Sequence, residues 1–523
     1  MITDRAQIAP APKNIHSSHF LLRSENQGWR LRLLASPHPA AMAPLRSADF
    51  LGHLDATRFL ASFWVVTYHL FYLGGPWFGM LSRMLFRVHI AVNWFIALSG
   101  FMTHWTQRTR ALRSSTGSIG TFYVRRVGRV AATTWLTFAY NIWFVPISYE
   151  GRLGDFAECA LLVQPWEILW NRTPPRWCAN GVMWTIGALL PSWIMYPWVH
   201  HTVLGYIRSI ASIPTRIAML VLLMICVWLL VFGPLVGLLI ANGGIEMDLF
   251  FVFHMWPPCT MPSFAVGCCA AELVVALRGP AESQGAPPAV TEESPLKPAA
   301  SAPAAEPKPT TATASKAAVD APPPVRFCSP CVAGLVADAC IAALFTTIFL
   351  LPIARGEPPV HQEASDYEVL LIHASTPVIA TFFVCSTLAA PYEKWRSGIL
   401  TWGLKHPVLV KLGEYSFVIY LFQDPVLVTF ERLAGPLSNG SVLFARGNPT
   451  SDSRLCMLYL VTLYTLAAIY CELLEKRIVE GLRLCTAKWA AKPEGDKSQP
   501  TKAKAALLMP SSNSSLYGSA TNL

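Results

Sequence analysis

Apolar runs of about twenty residues recur along the whole chain, and they restrict the fold more than any other feature. One of them is IAMLVLLMICVWLLVFGPLVGLLIA at residues 217–241. A run of this length is enough to cross the hydrocarbon core of a bilayer as a helix. Only 14% of the 523 residues are charged and the mean hydropathy is +0.40, whereas soluble proteins carry roughly a quarter charged residues. The sequence therefore predicts an all-α, polytopic transmembrane helix bundle.

The runs predict about ten spans and place both termini on the same side of the membrane. The predicted spans are 55–73, 88–105, 127–147, 184–204, 216–240, 247–277, 331–354, 368–390, 408–430 and 455–475. The loop after the second span is rich in arginine and contains no acid: Arg108, Arg110, Arg113, Arg125, Arg126 and Arg129. Loops on the opposite side hold acids such as Glu150 and Asp155. The positive-inside rule then predicts that both termini are cytoplasmic.

Two sequons fall in loops that this topology assigns to the outside, at Asn171 and Asn439. They are predicted glycosylation sites if these loops enter the secretory pathway. The sequence therefore favours a multi-pass protein of a secretory-pathway or plasma membrane.

Composition divides the chain into five segments. Residues 1–50 are a predicted disordered cytoplasmic arm, and residues 51–278 carry spans one to six. Residues 279–326 are rich in Pro and Ala and hold almost no apolar bulk, which predicts a disordered cytoplasmic linker. Residues 327–482 carry spans seven to ten, and residues 483–523 are a predicted disordered cytoplasmic tail.

The cysteines leave two questions open. Cys159 and Cys178 share an outside loop and would be able to pair in an oxidising compartment, although the sequence alone does not decide this. Cys328 and Cys331 form a lone CxxC. A zinc site needs two further ligands at suitable spacing, and none is near, so we predict no metal site. The CxxC favours palmitoylation no less than zinc binding.

The first predicted span contains two ionisable residues, Arg58 and His69, in the stretch LDATRFLASFWVVTYHLF. Eleven positions separate them, so a helix would carry both on nearly one face, roughly 16 Å apart along its axis. Ionisable residues inside spans usually face a bundle interior or a wet cavity. The alternative is that Arg58 extends to phospholipid headgroups and His69 lies at the far interface.

Seven short motifs follow one another across the predicted spans. The first is LDATR, ending at Arg58, followed after ten residues by His69 within YHL. The others are VNWFIALSGFMTHW (92–105), FYVRRVGRV (122–130), MWTIGALLPSWIMYP (183–197), MPSFAVGCCAAE (261–272), GEYSFVIYLFQDPVL (413–427) and ELLEKRIVE (472–480). In this order they resemble the motifs of the membrane-bound acyltransferase 3 family. The resemblance covers about 55–277 and 331–480.

The resemblance implies an O-acyltransferase that moves an acetyl or other short acyl group from cytoplasmic acyl-CoA to a hydroxyl acceptor, with a carbohydrate or glycolipid favoured. It makes His69 a general base or an acyl carrier and lets Arg58 steer the donor. The CoA phosphates would then bind to the loop arginines Arg125, Arg126 and Arg129, which otherwise only mark topology. Further polar candidates are Asp55, Ser99, Trp184, Gln423 and Asp424. No nucleic-acid-binding motif is present.

Two positions depart from the family pattern. The family usually places a glutamate where this chain has Leu189, and often a histidine where it has Gln423. Asp424 is a buried-acid candidate that would restore part of the lost polarity, or it would only cap Pro425. A non-catalytic acyl-CoA-binding protein therefore stays open as an alternative. A multi-span transporter is a further alternative, although the two halves share no repeated motif of the kind expected of one.

Overall fold

Every regular element in the described part of the chain is helical, as the apolar runs predict. The computed structural model describes residues 51–72, 84–85, 87–108, 116–144, 153–167, 178, 180–242, 247–278, 329–350, 366–392, 397–434 and 453–491. In chain order the helices are α1 (Gly52–Tyr72), α2 (His89–Gln107), α3 (Thr116–Phe144), α4 (Leu153–Ala160), α5 (Trp184–His201), α6 (Val203–Ser209), α7 (Ile213–Asn242), α8 (Met247–Met255), α9 (Pro257–Arg278), α10 (Pro330–Leu350), α11 (Asp366–Ala389), α12 (Ile399–Leu404), α13 (Pro407–Ala434), α14 (Ser453–Tyr470) and α15 (Lys476–Ala491).

Ten of these helices have at least 18 residues, and each overlaps one predicted span. They are α1, α2, α3, α5, α7, α9, α10, α11, α13 and α14. Among the described residues, five segments are also apolar enough to cross a membrane: Ile213–Ala241, Phe250–Arg278, Pro330–Leu350, Val369–Ala389 and Cys456–Ala487. The chain is therefore a helical protein of integral-membrane character. The other five long helices carry more polar residues. That these helices also cross the membrane is part of the proposal.

The last helix extends further than the sequence predicted. A π-helical turn at Cys471–Glu475 joins α14 to α15, which continues to Ala491, so residues 483–491 of the predicted tail are helical. The charges that suggested disorder lie on an amphipathic helix, which stabilises itself by packing one face on a partner. Leu482 packs over Gly128 of α3, and Thr486 accepts a hydrogen bond from Arg125.

Several predicted features lie outside the described residues. They are the N-terminal arm, the Pro/Ala-rich linker, the tail after Ala491, both sequon asparagines and Cys328.

The bundle has two ends that differ in chemistry. α1 and α13 run parallel, since Gly413 lies against Asp55 near their starts and Gln423 pairs with His69 further along. α2 and α9 are also parallel to each other, because Cys268 contacts Gly100 one turn before Glu272 meets His104. We call the end where α1 and α13 start, and where α2 and α9 finish, the arginine end. The opposite end, where α1 finishes with His69, is the histidine end.

Glycines in the family-like motifs let helix backbones touch. A Cβ on Gly100 would lie 2.0 Å from the Phe264 carbonyl oxygen, and one on Gly267 would lie 2.0 Å from that of Ala97. A Cβ on Gly413 would lie 2.0 Å from the Asp55 carbonyl oxygen. Small residues are favoured at such crossings in membranes because they permit close backbone approach. The Gly100 of the Ser-Gly pair is therefore a packing residue, which leaves Ser99 beside it available for polar contacts.

A disulfide joins two described parts of the outer loop that are attached to α3 and α13. Cys159 and Cys178 are joined by a disulfide, which settles the pairing that the sequence left open. Trp135 Nε1 donates a hydrogen bond to the Ala160 carbonyl at 2.9 Å, and Asn180 Nδ2 donates to the Leu421 carbonyl at 3.0 Å. The loop is thereby attached to α3 on one side and to α13 on the other, next to His69.

Candidate functional site

His69 is held by Gln423 in one orientation and one tautomer. The side chain of His69 is half-buried in the last turn of α1, and its Nδ1 lies 2.9 Å from Oε1 of Gln423. Gln423 is buried, and its Nε2 donates to the Tyr420 carbonyl at 2.8 Å, which directs the amide oxygen towards the histidine. Because an amide oxygen only accepts hydrogen bonds, Nδ1 carries the proton. Nε2 of neutral His69 is then the nitrogen with a free lone pair.

Asp424 connects this histidine to the outer loop. Its Oδ2 accepts a hydrogen bond of 2.7 Å from the backbone N–H of Gly181, the first residue of the 3₁₀ turn Gly181–Met183, whose N-cap is Asn180. The carboxylate is also close enough to His69 for an electrostatic interaction. An anion beside the ring stabilises the imidazolium that forms when Nε2 accepts a proton. Asp424 therefore lies between the outer loop and His69.

Two histidines outside every motif complete the histidine end. His89 Nδ1 lies 2.9 Å from Nε2 of His254, and the His254 ring lies 4.7 Å, centroid to centroid, from that of Trp184. The Tyr68 ring lies 5.3 Å from His69 and 6.4 Å from His89. Trp184, predicted as a supporting group, is thus part of an aromatic and imidazole wall near His69. The only sequence signal for His89 and His254 was their place at the outer ends of the second and sixth predicted spans.

At the arginine end, Arg126 reaches into the bundle and contacts two motif residues. Its Nη2 donates to Ser99 Oγ at 2.8 Å, and Trp193 Nε1 donates to the same oxygen at 3.2 Å. The guanidinium lies over the Trp193 ring at 5.1 Å from its centroid. Nε of Arg126 is buried without a hydrogen-bond partner. An arginine fixed by a hydroxyl and an aromatic face, with one donor left over, is suited to binding an anion.

Arg58 and Arg129 lie close enough to Arg126 for their charges to interact with it. Arg58 Nη1 lies 3.2 Å from Asp55 Oδ1 on the same helix, and Arg129 Nε donates to Glu475 Oε1 at 2.7 Å. Each acid therefore orients one arginine beside Arg126. The acids also limit the repulsion between the three cations.

Arg125 is placed differently. Its Nε donates to Thr486 on α15 at 2.9 Å. Arg125 therefore extends from a different side of α3 than Arg126, which contacts Ser99 on α2. All three arginines lie within α3 (Thr116–Phe144) and not in the predicted loop, because the helix begins well before the apolar run that marked the third span. Of the three, Arg126 and Arg129 lie with Arg58.

A family model described as an acyltransferase domain, that of acyltransferase 3, matches residues 51–471. The chain belongs to the acyltransferase 3 family. This match contains α1 to α14 and all of the site residues described above except Glu475 and Thr486. No curated protein and no solved structure gave a significant match.

The acyltransferase 3 motifs also build a second buried network that the sequence analysis did not foresee. Glu272, 1% exposed, lies 2.8 Å from His104 Nε2 and accepts hydrogen bonds of 2.8 to 3.0 Å from Arg208. The Tyr196 hydroxyl lies 3.2 Å from His104 Nδ1 and 3.1 Å from His200 Nδ1. A buried acid paired with both an arginine and a histidine is already satisfied. This network joins α2, α5, α6 and α9 at the arginine end.

Leu189 on α5 is 7% exposed within the apolar core. Its neighbour Ala188 has a carbonyl that lies 3.5 Å from the hydroxyl of Thr260. The acid that interacts electrostatically with His69 is Asp424. It lies on α13, whereas Leu189 lies on α5.

Proposed function

We propose that this acyltransferase 3 member is an integral-membrane O-acyltransferase that moves an acetyl or short acyl group from acyl-CoA to a hydroxyl acceptor. The observation that carries the proposal is the oriented His69, whose Nε2 is left as a base by its hydrogen bond to Gln423. It lies at the opposite end of α1 from the arginine cluster around Arg126. We thus assign donor binding to the arginine end and proton transfer to the histidine end.

The arginine end is proposed to face the cytoplasm, where acyl-CoA is made. The arginine-rich loop supports this side through the positive-inside rule. The disulfide between Cys159 and Cys178 supports the opposite side for the histidine end, because disulfides persist in oxidising compartments. Both indications agree with ten spans and with two cytoplasmic termini.

In the proposed reaction, His69 Nε2 removes the proton from the acceptor hydroxyl as its oxygen attacks the thioester carbonyl. The tetrahedral intermediate then collapses, the carbon–sulfur bond breaks, and the imidazolium returns the proton to the departing thiolate. The products are an ester and free CoA, so the histidine ends as it began. A positioned base of this kind contributes about 10²- to 10⁴-fold to rate. Asp424 stabilises the transient imidazolium, and Gln423 keeps the ring from rotating.

Arg58, Arg126 and Arg129 are proposed to bind the phosphates of the donor at the arginine end. Phosphate oxygens accept charge-assisted hydrogen bonds from guanidinium groups in a geometry that lysine cannot reproduce. The acceptor is proposed to be a carbohydrate or glycolipid, following the family. The wall of Tyr68, Trp184 and His254 supports this choice, because aromatic faces combined with imidazole nitrogens suit a polyhydroxylated ligand.

The experiment that tests the proposal measures transfer from radiolabelled acetyl-CoA in membranes that hold matched amounts of wild type or His69→Ala. We expect labelled acceptor with wild type, a loss of at least about 100-fold with His69→Ala, and unchanged acetyl-CoA binding in both. Fractionating the labelled product then identifies the acceptor class.

A non-catalytic acyl-CoA-binding protein is the second candidate, and Leu189 is the observation that favours it. That candidate gives the same acetyl-CoA binding with no transfer by wild type to any membrane acceptor. The wild-type reaction alone separates the two.

A further inference from the structure

Side chains at the histidine end form a closed circle of contacts. Asp424, beside His69, accepts the hydrogen bond of the turn that leads directly into α5, which begins at Trp184. The Trp184 ring lies 4.7 Å from that of His254, which pairs with His89. His89 in turn lies close enough to His69 for an electrostatic interaction. The circle therefore joins α1, α13, α5, α8 and α2 around the proposed base.

His89 is an ionisable member of this circle to which the proposed reaction gives no role. Its Nδ1 lies 2.9 Å from Nε2 of His254, and the two rings meet edge to face with centroids 4.3 Å apart. His254 is 6% exposed and also packs on Phe250, so it is held firmly. His89 is only half-buried. With Nδ1 used by His254, the nitrogen that His89 presents to a ligand is Nε2.

His69 and His89 occupy opposite ends of their helices, and this separates their roles. His69 lies in the last turn of α1, where the helix dipole stabilises an imidazolium, as a base requires. His89 is the first residue of α2, whose first turn contains no acid. The positive end of the dipole opposes a charged ring there. His89 is therefore suited to hydrogen bonding as a neutral ring and not to proton uptake.

A neutral His89 in this pair needs a ligand group that both donates and accepts. If His254 donates to His89, Nε2 of His89 carries a proton, and if His89 donates, Nε2 carries a lone pair. A hydroxyl satisfies both cases, because it is a donor and an acceptor. A carboxylate answers only the first case, and an ammonium group only the second. The ligand chemistry that suits His89 is thus an alcohol.

We propose that His89 Nε2 binds a second hydroxyl of the acceptor while His69 acts on the reacting one, and that His254 is the positioning residue for His89. This inference rests on the proposed function and specifies its acceptor as a polyhydroxylated molecule. The Tyr68 ring lies 5.3 Å from His69 and 6.4 Å from His89, so a sugar unit against Tyr68 adjoins both imidazoles. A simple alcohol makes only the contact with His69.

The test compares wild type with three variants of the pair. The amide of His89→Asn keeps a partner for His254 at the place of Nδ1 but lacks an atom at the place of Nε2. The longer His89→Gln restores a donor and an acceptor there. His254→Phe leaves Nε2 in place and removes the group that orients the ring. His406→Gln is the control, since His406 is exposed and lies between α12 and α13 at the arginine end.

Binding is measured by thermal-stability titration in phosphatidylcholine nanodiscs. The probes are the methyl glycosides of glucose, galactose and N-acetylglucosamine, with 2-methoxyethanol as the probe that carries a single hydroxyl. Wild type, the control and His89→Gln should bind at least one glycoside about tenfold more tightly than 2-methoxyethanol, as expected for one added hydrogen bond. His89→Asn and His254→Phe should lose this preference. No preference in wild type for any glycoside, or the same preference in His89→Asn, would overturn the proposal.

Kinetics separate a binding role from a packing role. In acetyl transfer to the preferred glycoside, His89→Asn and His254→Phe should raise the KM for the glycoside more than they lower kcat, with an unchanged KM for acetyl-CoA. Equal losses of stability and kcat in His89→Asn and His89→Gln would mean that His89 only packs, which contradicts the proposal. Transfer by wild type is scored independently. An active wild type without a glycoside preference refutes this inference alone, whereas a preference that depends on His89 in an inactive wild type refutes the proposed function and leaves the sugar site standing.

Discussion

At the scale of single residues, the hydrogen bond from His69 to Gln423 determines what the histidine does. Glutamine offers one acceptor oxygen, and the Tyr420 carbonyl fixes which side of the amide faces His69. This geometry puts the ring proton of His69 on Nδ1 and the lone pair on Nε2.

The first prediction concerns this positioning role. Gln423→Leu should lower kcat for acetyl transfer by about tenfold, because it removes a hydrogen bond of roughly 1.4 kcal/mol that holds the reactive tautomer. Gln423→Glu keeps an acceptor oxygen at the same place and should retain most activity. Steady-state kinetics with unchanged KM for acetyl-CoA would check it. Equal losses in both variants would mean that residue 423 matters only for packing.

The second prediction distinguishes the role of Arg126 from that of Arg125, its neighbour on α3. Arg126→Gln should raise the KM for acetyl-CoA by at least about tenfold, because its guanidinium reaches Ser99 inside the bundle and has a donor to spare. Arg125→Gln is the matched control, since that side chain bonds to Thr486 instead. Titration of acetyl-CoA with both variants measures the difference. The assignment fails if Arg125→Gln has the larger effect.

At the scale of helices, the crossings at glycine position the polar side chains. Gly100 brings α2 against the Phe264 backbone, and this contact places the neighbouring Ser99 within reach of both Arg126 and Trp193. Gly413 brings α13 against α1, so that Gln423, three turns further on, meets His69. The close approach of two pairs of helices is thus a condition for both ends of the site.

The third prediction tests these crossings. Gly100→Ala should destabilise the protein by about 1 to 3 kcal/mol or more, because the added Cβ would lie 2.0 Å from a backbone oxygen. Gly233→Ala on α7 has nothing within 4 Å of the new carbon and should be neutral or stabilising by up to about 1 kcal/mol. Thermal unfolding of the purified variants provides the comparison. A stable Gly100→Ala with normal KM would show that α2 and α9 pack less closely.

The fourth prediction concerns the outer loop. Replacing Cys159 and Cys178 together by serine opens a loop with a sequence separation of 19 residues and should cost about 3 kcal/mol of stability. The turn that begins at Gly181, whose N–H donates to Asp424, follows directly, so kcat should fall with it. Reducing agent applied from outside should reproduce the effect in wild type and leave the serine variant unchanged. If stability and kcat are the same in wild type, in reduced wild type and in the serine variant, the loop contributes to neither property.

Much of the fold was accessible from the sequence, and the reason is physical. An apolar run such as residues 217–241 satisfies its backbone in a bilayer as a helix, and each long helix of the described residues overlaps a predicted span. The extent of α15 could not be predicted from the sequence. Which face of this helix is packed depends on its contact with α3, where Leu482 lies against Gly128. Composition averages over both faces and therefore indicated a tail.

The sequence proposed candidate site residues only where motifs marked them. Arg58, His69, Ser99 and Arg126 are candidates because they lie in the motifs, whose spacing within one helix is local. The pairing of His69 with Gln423 spans 354 positions, and that of His89 with His254 spans 165. No local pattern encodes such contacts, since they depend on where separate helices cross.

At the scale of the whole molecule, the two ends of the bundle give it a direction. Arg58, Arg126 and Arg129 lie at one end, and His69, His89, His254 and the Cys159–Cys178 disulfide lie at the other. The fifth prediction follows for the topology. In a glycosylating host, Asn171→Gln and Asn439→Gln should each remove a mobility shift caused by an N-glycan, because both sequons lie in loops assigned to the side of the disulfide. A glycan elsewhere, such as at Asn513 in the tail, would reverse the orientation.

The central claim is that an acyl group passes from a donor bound at the arginine end to an acceptor handled by His69 at the histidine end. Sealed membrane vesicles of known orientation test it most directly, with radiolabelled acetyl-CoA supplied to one face at a time. The account predicts labelled acceptor only when the label contacts the arginine face, and none from either face with His69→Ala. Equal labelling from both faces, or labelling that persists in His69→Ala, would contradict it.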